Sequence, residues 1–163
     1  MIDLTNTPVS GLLELHGDLL AELRRREIVR SANNPAGDYA ELLFKTAFGW
    51  RLNDNSSADA DAVDAGGVRY QIKCRRLLTP KGSRQLGHIP RLPDRPFDML
   101  AAVLLNDKFR VTRAAIVPYE VVKQHAAYVE SVRGWRFMLR DSVWDIADVK
   151  DVTLELQEAE RSI

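Results

Sequence analysis

Two apolar runs in the second half of the chain constrain its fold most strongly, the first without a polar residue and the second interrupted only by Thr112 and Arg113. They cover residues 99–105 and 111–117, and a polar turn that contains Asn106 and Asp107 separates them. Runs of this length without polar alternation are typical of strands that are buried on both faces of a sheet. Such a strand pair needs cover on both sides, so we expect a central β-sheet with helices packed against it.

Helical patterns before and after this strand pair supply that cover. In the first of them leucines recur at helical spacing, and three arginines at positions 24–26 follow, where cations favour the end of a helix. For the second, Asp38 is the predicted N-cap, with Glu41 as its capping-box partner and Gly49 as the stop. The predicted helices cover residues 12–23, 39–48, 119–127 and 151–160.

A β-hairpin is predicted between the second helix and the buried strand pair. Two short apolar runs, around residues 60–63 and 68–74, flank a turn that contains Asp64 and two glycines. We interpret Asp64 as a turn residue. Residues 78–96 contain four prolines, so that stretch is predicted to be an irregular loop.

Length and composition favour one globular domain. The chain has 163 residues, of which 45% are hydrophobic and 28% charged, and its formal net charge is zero, so any electrostatic signal is local. Cys74 is the only cysteine, which excludes an internal disulfide and a cysteine-based zinc cluster. The start of the chain lacks a secretory signal pattern, and no apolar stretch approaches the roughly 20 residues of a membrane span. We therefore expect a cytoplasmic protein with no membrane partner.

The segment 59–76 contains the residues that point to chemistry. Gln71 and Lys73 share one face of a predicted strand, because side chains alternate along a strand. Asp61 on the preceding strand joins them only if paired positions in the hairpin sum to 132, since a shift of one residue turns it to the other face. An aspartate, an amide oxygen and a lysine that converge in this way can hold a divalent cation beside a phosphate.

In order and spacing these residues resemble the PD-(D/E)xK nuclease superfamily, which has the restriction-endonuclease-like fold. That superfamily has a glutamate on a helix, then an aspartate on a hairpin, then Glu-x-Lys or, in some branches, Gln-x-Lys. The matching positions are Glu41, Asp61, Gln71 and Lys73. The resemblance covers about residues 28–125, and the strings around these positions look like a bacterial branch of uncharacterised function.

The resemblance implies a fold and an activity. The expected fold is α/β and restriction-endonuclease-like, a single domain with a central mixed β-sheet flanked by helices. Its expected parts are an N-terminal helix in residues 1–30, a nuclease-like core in 31–127 and a C-terminal extension in 128–163. The expected activity is metal-dependent hydrolysis of phosphodiester bonds in DNA, ahead of RNA. Asp61, Gln71 and Glu41 would bind Mg²⁺ or Mn²⁺, and Lys73 would orient the attacking water or stabilise the phosphate.

Charge is segregated around the predicted hairpin. Residues 69–95 have a local net charge of +7, whereas residues 53–67 contain four aspartates and no basic side chain. An acidic pocket beside a basic strand and loop suits metal-assisted cleavage of a polyanion. The alternative is a solvated arginine-rich loop. The residues expected to hold the nucleic-acid backbone are Arg75, Arg76, Lys81 and Arg84.

The candidate site residues have simpler alternative roles. Glu41 could only complete the capping box, and Asp61 with Lys73 could form an exposed cross-strand ion pair of low energy. Asp59 competes with Asp61 for the role of metal ligand. Gln71 is neutral where many relatives have a charged glutamate, so its amide oxygen can ligate Mg²⁺ but supplies no charge to neutralise it.

Two other classes of function stay open at this point. The first is a non-catalytic member of the same fold that binds nucleic acid or a protein partner. The second is a structural or immunity-type protein whose acidic pocket binds nothing. The sequence is also compatible with a homodimer, because no pattern in it fixes the oligomeric state.

Overall fold

The computed structural model describes residues 3–30, 34–53 and 60–163. The helices are α1 (Val9–Arg25), α2 (Ala36–Phe48), α3 (Tyr119–His125) and α4 (Thr153–Ser162). The strands are β1 (Arg51–Leu52), β2 (Ala62–Val63), β3 (Arg69–Arg76), β4 (Met99–Leu105), β5 (Val111–Pro118), β6 (Ala127–Val129), β7 (Gly134–Arg136) and β8 (Lys150–Asp151). Within the described ranges, no helix has both the length and the apolar character needed to cross a bilayer.

Six strands form one mixed sheet in the order β1-β2-β3-β4-β5-β8, and β6 pairs with β7 in a separate hairpin. In the six-stranded sheet β3 and β4 run parallel, whereas the other neighbours are antiparallel. Parallel neighbours need a crossover of a dozen or more residues. Residues 77–98 provide it and include the proline-rich loop predicted from the sequence, with a short 3-10 helix at Leu92–Asp94. We call this segment the crossover.

The central strands β4 and β5 are buried on both faces of the sheet, as the two apolar runs predicted. On one face α2 and α4 pack against β3, β4 and β5, and Phe44 and Leu156 are fully buried there. On the other face the crossover and α3 pack against β4 and β5, around the buried rings of Phe97 and Phe137. The predicted α/β class, with helices around a central mixed sheet, is confirmed.

The hairpin of β2 and β3 has the register that was required for Asp61 to join Gln71, and the Asp61 N–H, just before the paired residues, donates to the Tyr70 carbonyl at 2.9 Å. The paired residues are Ala62 with Tyr70 and Val63 with Arg69, so paired positions sum to 132. The Asp64 N–H donates to the Val68 carbonyl at 3.1 Å, which closes a three-residue loop. Gly67 in that loop has φ of 83°, a left-handed conformation that glycine adopts without steric cost. The predicted register and loop are confirmed.

The start of α2 differs from the prediction. The helix begins at Ala36, whose N–H donates to the Asn34 side-chain oxygen at 3.0 Å. Asp38 therefore lies inside the first turn, where its carboxylate accepts a hydrogen bond from the Arg30 N–H at 2.8 Å. The predicted capping box of Asp38 and Glu41 is wrong, because Asn34 already binds the free N–H group at the start of the helix.

Asp98 links the start of β4 to the start of β3 through hydrogen bonds to Arg69. Its carboxylate accepts hydrogen bonds from the Arg69 N–H at 3.0 Å and from the Arg69 guanidinium at 3.1 and 3.2 Å. These contacts lower the pKa of Asp98 below its ordinary value. The carboxylate is one-third exposed, so the contribution to stability is modest.

Asp98→Asn should lower the free energy of unfolding by about 1 kcal/mol at neutral pH. Because the folded-state pKa is depressed, the stabilisation is present above the unfolded-state pKa and is lost as the pH falls through the folded-state pKa. Urea unfolding of both proteins across the acidic range measures the difference. Asp94→Asn, an equal charge change at an exposed residue nearby, is the control and should have little effect; a difference that persists in strong acid would contradict the assignment.

Candidate functional site

Asp61 lies directly before β2, between β1 and β3 in the sheet, with its carboxylate turned toward β3. Oδ2 accepts a hydrogen bond from the Ile72 N–H at 2.6 Å and another from the Gln71 side-chain amide. The Ile72 N–H lies on the side of β3 that faces β2, just past the last paired residue, so the carboxylate takes the place of a strand partner. Backbone geometry therefore fixes the position of this acid.

The orientation of the Gln71 amide follows from its neighbour. An amide N–H₂ group donates to a carboxylate, whereas an amide oxygen facing the same carboxylate would be repelled. With Nε2 of Gln71 bound to Asp61, the carbonyl oxygen lies on the other side of the amide group. Gln71 is thus the neutral partner of Asp61 and presents an oxygen of its own.

Lys73 lies two residues further along β3, on the same face as Gln71. Burial raises the pKa of Asp61 and the charge of Lys73 partly offsets that rise, although the two described groups form no ion pair. The crossover passes beside the lysine, since a Cβ atom at Gly87 would be 3.9 Å from Lys73 Cδ. The alternative of a simple cross-strand ion pair is not observed for these described residues.

Glu41 contacts an arginine that the sequence analysis did not single out. Glu41 lies on α2, with 17% of its side chain exposed, and its carboxylate accepts a hydrogen bond from the Arg30 guanidinium. The same guanidinium donates to the Asn53 carbonyl at 3.3 Å, and its charge is one of the contributions that oppose the rise of the Asp61 pKa caused by burial. Arg30 therefore interacts with both carboxylates assigned to the metal, yet it belongs to no motif that could have identified it.

Burial raises the pKa of Asp61 above its ordinary value. The Ile72 N–H, the Lys73 charge, the Gln71 amide and the Arg30 charge oppose that shift. A raised folded-state pKa means that this group favours folding less as the pH rises and the carboxylate becomes charged. Burial makes the charged form of this carboxylate less favourable than it is in water. A carboxylate whose pKa is shifted by burial and by specific neighbours is typical of functional sites.

The oxygen donors of this site fit a hard divalent cation in kind. Mg²⁺ and Mn²⁺ prefer carboxylate, amide and carbonyl oxygens, which Asp61, Gln71 and the Ile72 carbonyl supply. Among the residues that the structure describes, no three His, Cys, Asp or Glu side chains group together as a metal centre. A cation here would therefore rely on the neutral amide of Gln71 and compete with Arg30 for Glu41.

Arg75 and Arg76, both predicted to hold nucleic acid, lie on opposite faces of β3. Arg75 is exposed on the face of Gln71 and Lys73, where its Nε donates to the Ser83 carbonyl at 3.1 Å. Arg76 points to the other face, and its guanidinium lies 4.0 Å from the centre of the Phe109 ring. The structure thus brings Arg75, but not Arg76, to the side of the candidate site.

The other two predicted nucleic-acid ligands lie in the crossover. Lys81 is exposed. Arg84 donates to the Asp141 carboxylate at 2.6 Å, and Arg113 donates to the same oxygen at 2.7 Å. Lys81 can reach a phosphate without giving up an ion pair, whereas Arg84 has an acidic partner already.

Two further aspartates lie close to Asp61 in the sequence. Asp59 lies outside the described residues, so its competition with Asp61 stays open. Asp64 accepts hydrogen bonds from the Gly66 N–H at 2.8 Å, the Val68 N–H at 3.0 Å and the Tyr70 hydroxyl at 3.0 Å. These bonds occupy both oxygens and confirm Asp64 as a turn residue.

Comparison with known proteins does not assign a family. A scan against models of known protein families and a search of curated proteins each gave no match. The functional interpretation therefore depends on the geometry of the residues described above.

Proposed function

We propose that this protein is a metal-dependent nuclease of the PD-(D/E)xK type, with the restriction-endonuclease-like fold, that hydrolyses phosphodiester bonds in DNA. The observation that supports this best is the hairpin register, which joins Asp61 to Gln71 by a hydrogen bond and sets Lys73 next on that face. The order of elements also supports the proposal, since α2 with Glu41 precedes the hairpin, and the second strand of that hairpin, β3, carries Gln71 and Lys73.

Each residue of the site has a separate role in the proposed hydrolysis of a phosphodiester bond. A bound Mg²⁺ or Mn²⁺ supplies Lewis acidity and neutralises charge on the phosphate. Asp61 and the Gln71 carbonyl oxygen would hold it, with Glu41 as a further carboxylate. Lys73 donates a hydrogen bond that orients the attacking water or stabilises the developing negative charge on phosphate oxygens. Arg75 binds a neighbouring phosphate of the backbone.

Incubation of the protein with plasmid and with single-stranded DNA tests the proposal directly. Cleavage is expected with Mg²⁺ or Mn²⁺ and none with a chelator. Absence of cleavage of both substrates under every metal condition would contradict the nuclease assignment and leave the binding function described next.

A second candidate is a non-catalytic protein of the same fold that binds nucleic acid. The observation that favours it is the low charge of the site, because Gln71 is neutral and Arg30 already balances Glu41. Such a protein would keep the basic strand and loop while lacking turnover. Binding that depends on salt, without cleavage, distinguishes it from the nuclease.

Binding to duplex DNA should weaken steeply with salt, with a log–log slope of roughly −0.9 per phosphate contacted. Arg75→Ala should make the slope shallower by about one contact, because the exposed guanidinium lies on the face of Lys73. Arg76→Ala is the matched control, since Arg76 points to the other face, and should change the slope little. Fluorescence anisotropy across a salt series measures both. A wild-type slope near zero would show that the basic residues between 69 and 95 do not contact phosphates and only form a solvated surface.

A further inference from the structure

A cavity beside β7 combines basic and apolar side chains. It has a volume of about 450 Å³, and small-molecule sites usually have volumes of about 300–1,000 Å³. Its polar lining consists of Arg136, Arg140, His125 and Ser142, and no acidic side chain of the described residues lines it. We call it the β7 cavity. It presents positive charge without an acidic group of its own.

Strand alternation places the two arginines on one side of the chain. Phe137 and Leu139 are buried in the core, whereas Arg136 and Arg140 are exposed. Met138 lies between the arginines and lines the same cavity. Positions 136 and 140 are about 13 Å apart along an extended chain. Their long side chains therefore approach the cavity from its two ends and can meet at a group bound beside Met138.

Hydrogen bonds on both sides fix the backbone that carries these arginines. β7 pairs with β6 on one side. On the other side the crossover is bonded to the same segment: the Leu86 N–H donates to the Phe137 carbonyl at 3.0 Å, and the Leu139 N–H donates to the Arg84 carbonyl at 3.1 Å. A support of this kind lowers the entropy lost when a ligand is bound.

The two arginines form no ion pair within the described part of the chain. Asp141, the acid that follows Arg140, instead accepts hydrogen bonds from Arg84 at 2.6 Å and from Arg113 at 2.7 Å. The charges of Arg136 and Arg140 are therefore not balanced by a neighbouring carboxylate, and a bound anion can balance them.

We propose that the β7 cavity binds the phosphate group of a phosphomonoester, with the apolar or aromatic part of the ligand against Met138, Val143 and Ile146. A phosphate dianion balances two arginines, and its oxygens fit the paired N–H groups of guanidinium. The Ser142 hydroxyl and a ring N–H of His125 add further donors. A single carboxylate would balance only one arginine.

Two sources share this chemistry. One is a free small molecule such as a mononucleotide, and the other is the terminal phosphate of a nucleic-acid strand. The inference does not rest on the proposed nuclease activity, because none of the candidate site residues lines the β7 cavity.

Calorimetric titration of the full chain with adenosine 5′-monophosphate, in the presence of a chelator, tests the proposal. Binding is expected for this nucleotide and not for adenosine, which has the same ring without the phosphate. Arg136→Ala or Arg140→Ala should raise the dissociation constant at least about tenfold, because each removes charge-assisted donors. Arg161→Ala, at an exposed arginine of α4 outside the cavity, is the matched control and should bind like the wild type.

Met138→Glu tests where the phosphate lies. The new carboxylate would lie between the two arginines and take the place of the ligand, so nucleotide binding should be lost although both arginines remain. Without ligand, the melting temperature of this variant should equal or exceed that of the wild type, because the carboxylate balances their charge. That result separates loss of the site from loss of the fold.

Fluorescence anisotropy distinguishes the two sources. An oligonucleotide with a 5′-phosphate is compared with the same oligonucleotide ending in a 5′-hydroxyl. Tighter binding of the phosphorylated strand, lost in Arg136→Ala, assigns the cavity to a strand end. Binding of the mononucleotide with equal affinity for both strands assigns it to a free small molecule.

Several outcomes would overturn the proposal. They are no binding of either the nucleotide or inorganic phosphate, equal binding of the nucleotide and adenosine, succinate binding as tight as that of the nucleotide, and nucleotide binding that persists in Arg136→Ala and Arg140→Ala. DNA cleavage by a protein that fails these tests would contradict this site and leave the nuclease proposal intact, and nucleotide binding without cleavage would do the reverse.

Discussion

Lys73→Ala should lower the rate of metal-dependent DNA cleavage by at least about 100-fold while the fold persists. In the proposed mechanism the Lys73 ammonium is the group that binds the attacking water or the charged phosphate oxygens, and alanine supplies no donor. Asp61→Asn should cause a loss of similar size, because the amide replaces the one carboxylate that the Ile72 N–H and Gln71 hold in place.

Both variants should remain folded, for different reasons. Lys73→Ala removes a side chain that forms no ion pair with Asp61, and in Asp61→Asn the new side-chain carbonyl oxygen can still accept the Ile72 hydrogen bond. The second substitution also removes a carboxylate whose pKa is raised by burial. The melting temperature of Asp61→Asn at neutral pH should therefore equal or exceed that of the wild type, since the charged form is the one that burial disfavours. Loss of a buried catalytic charge with gain of stability is a known trade-off.

The measurement is the conversion of supercoiled plasmid at fixed Mg²⁺ or Mn²⁺, with chelator as the blank. Lys123→Ala, at an exposed lysine of α3, is the control and should cleave like the wild type. Equal cleavage by the wild type, Lys73→Ala and Asp61→Asn would indicate a contaminating nuclease or a site elsewhere in the chain.

Gln71→Glu should tighten Mn²⁺ binding by about tenfold or more and, without metal, destabilise the fold by about 1–2 kcal/mol. A glutamate here adds a charged ligand, but it also replaces the amide that donates to Asp61 with a second carboxylate. Two carboxylates at hydrogen-bond distance repel until a proton or a cation joins them. Added Mn²⁺ should then restore stability by mass action, more strongly in the variant than in the wild type.

Calorimetric titration with Mn²⁺ and thermal unfolding with and without the metal measure the two effects. Gln124→Glu is the matched control, because it makes the same charge change at an exposed residue of α3. If Gln71→Glu binds Mn²⁺ no more tightly than this control, Gln71 is not a metal ligand. If affinity rises but cleavage does not, the neutral amide limits binding and another feature limits turnover.

Local chemistry explains why the hairpin could be predicted. Asp64 accepts hydrogen bonds from N–H groups two and four residues ahead, and Gly67 takes the left-handed conformation. These interactions lie within a few residues of each other, so the turn type and the register follow from turn chemistry. Because side chains alternate along β3, the same register determines that Asp61 reaches Gln71.

Other features depend on contacts between distant parts of the chain. β1 has two residues, too few to produce a periodic pattern, and exists because β2 pairs with it. Arg30 joins the site through Glu41 and the Asn53 carbonyl, which are 11 and 23 positions away in the chain. At the start of α2 the Asn34 side chain accepts the Ala36 N–H, whereas Asp38 accepts a hydrogen bond from the Arg30 N–H, eight residues earlier in the chain.

By itself the sequence determined the buried strand pair, the helices around it and the hairpin that carries the candidate site. These depend on periodicity and on turn residues, which act between near neighbours. Only the tertiary structure decided the parallel pairing of β3 with β4, the separation of Arg75 from Arg76, and the pairing of Arg30 with Glu41. These depend on how the sheet is ordered and on how charges from remote segments balance when they are buried together, and no local pattern encodes either.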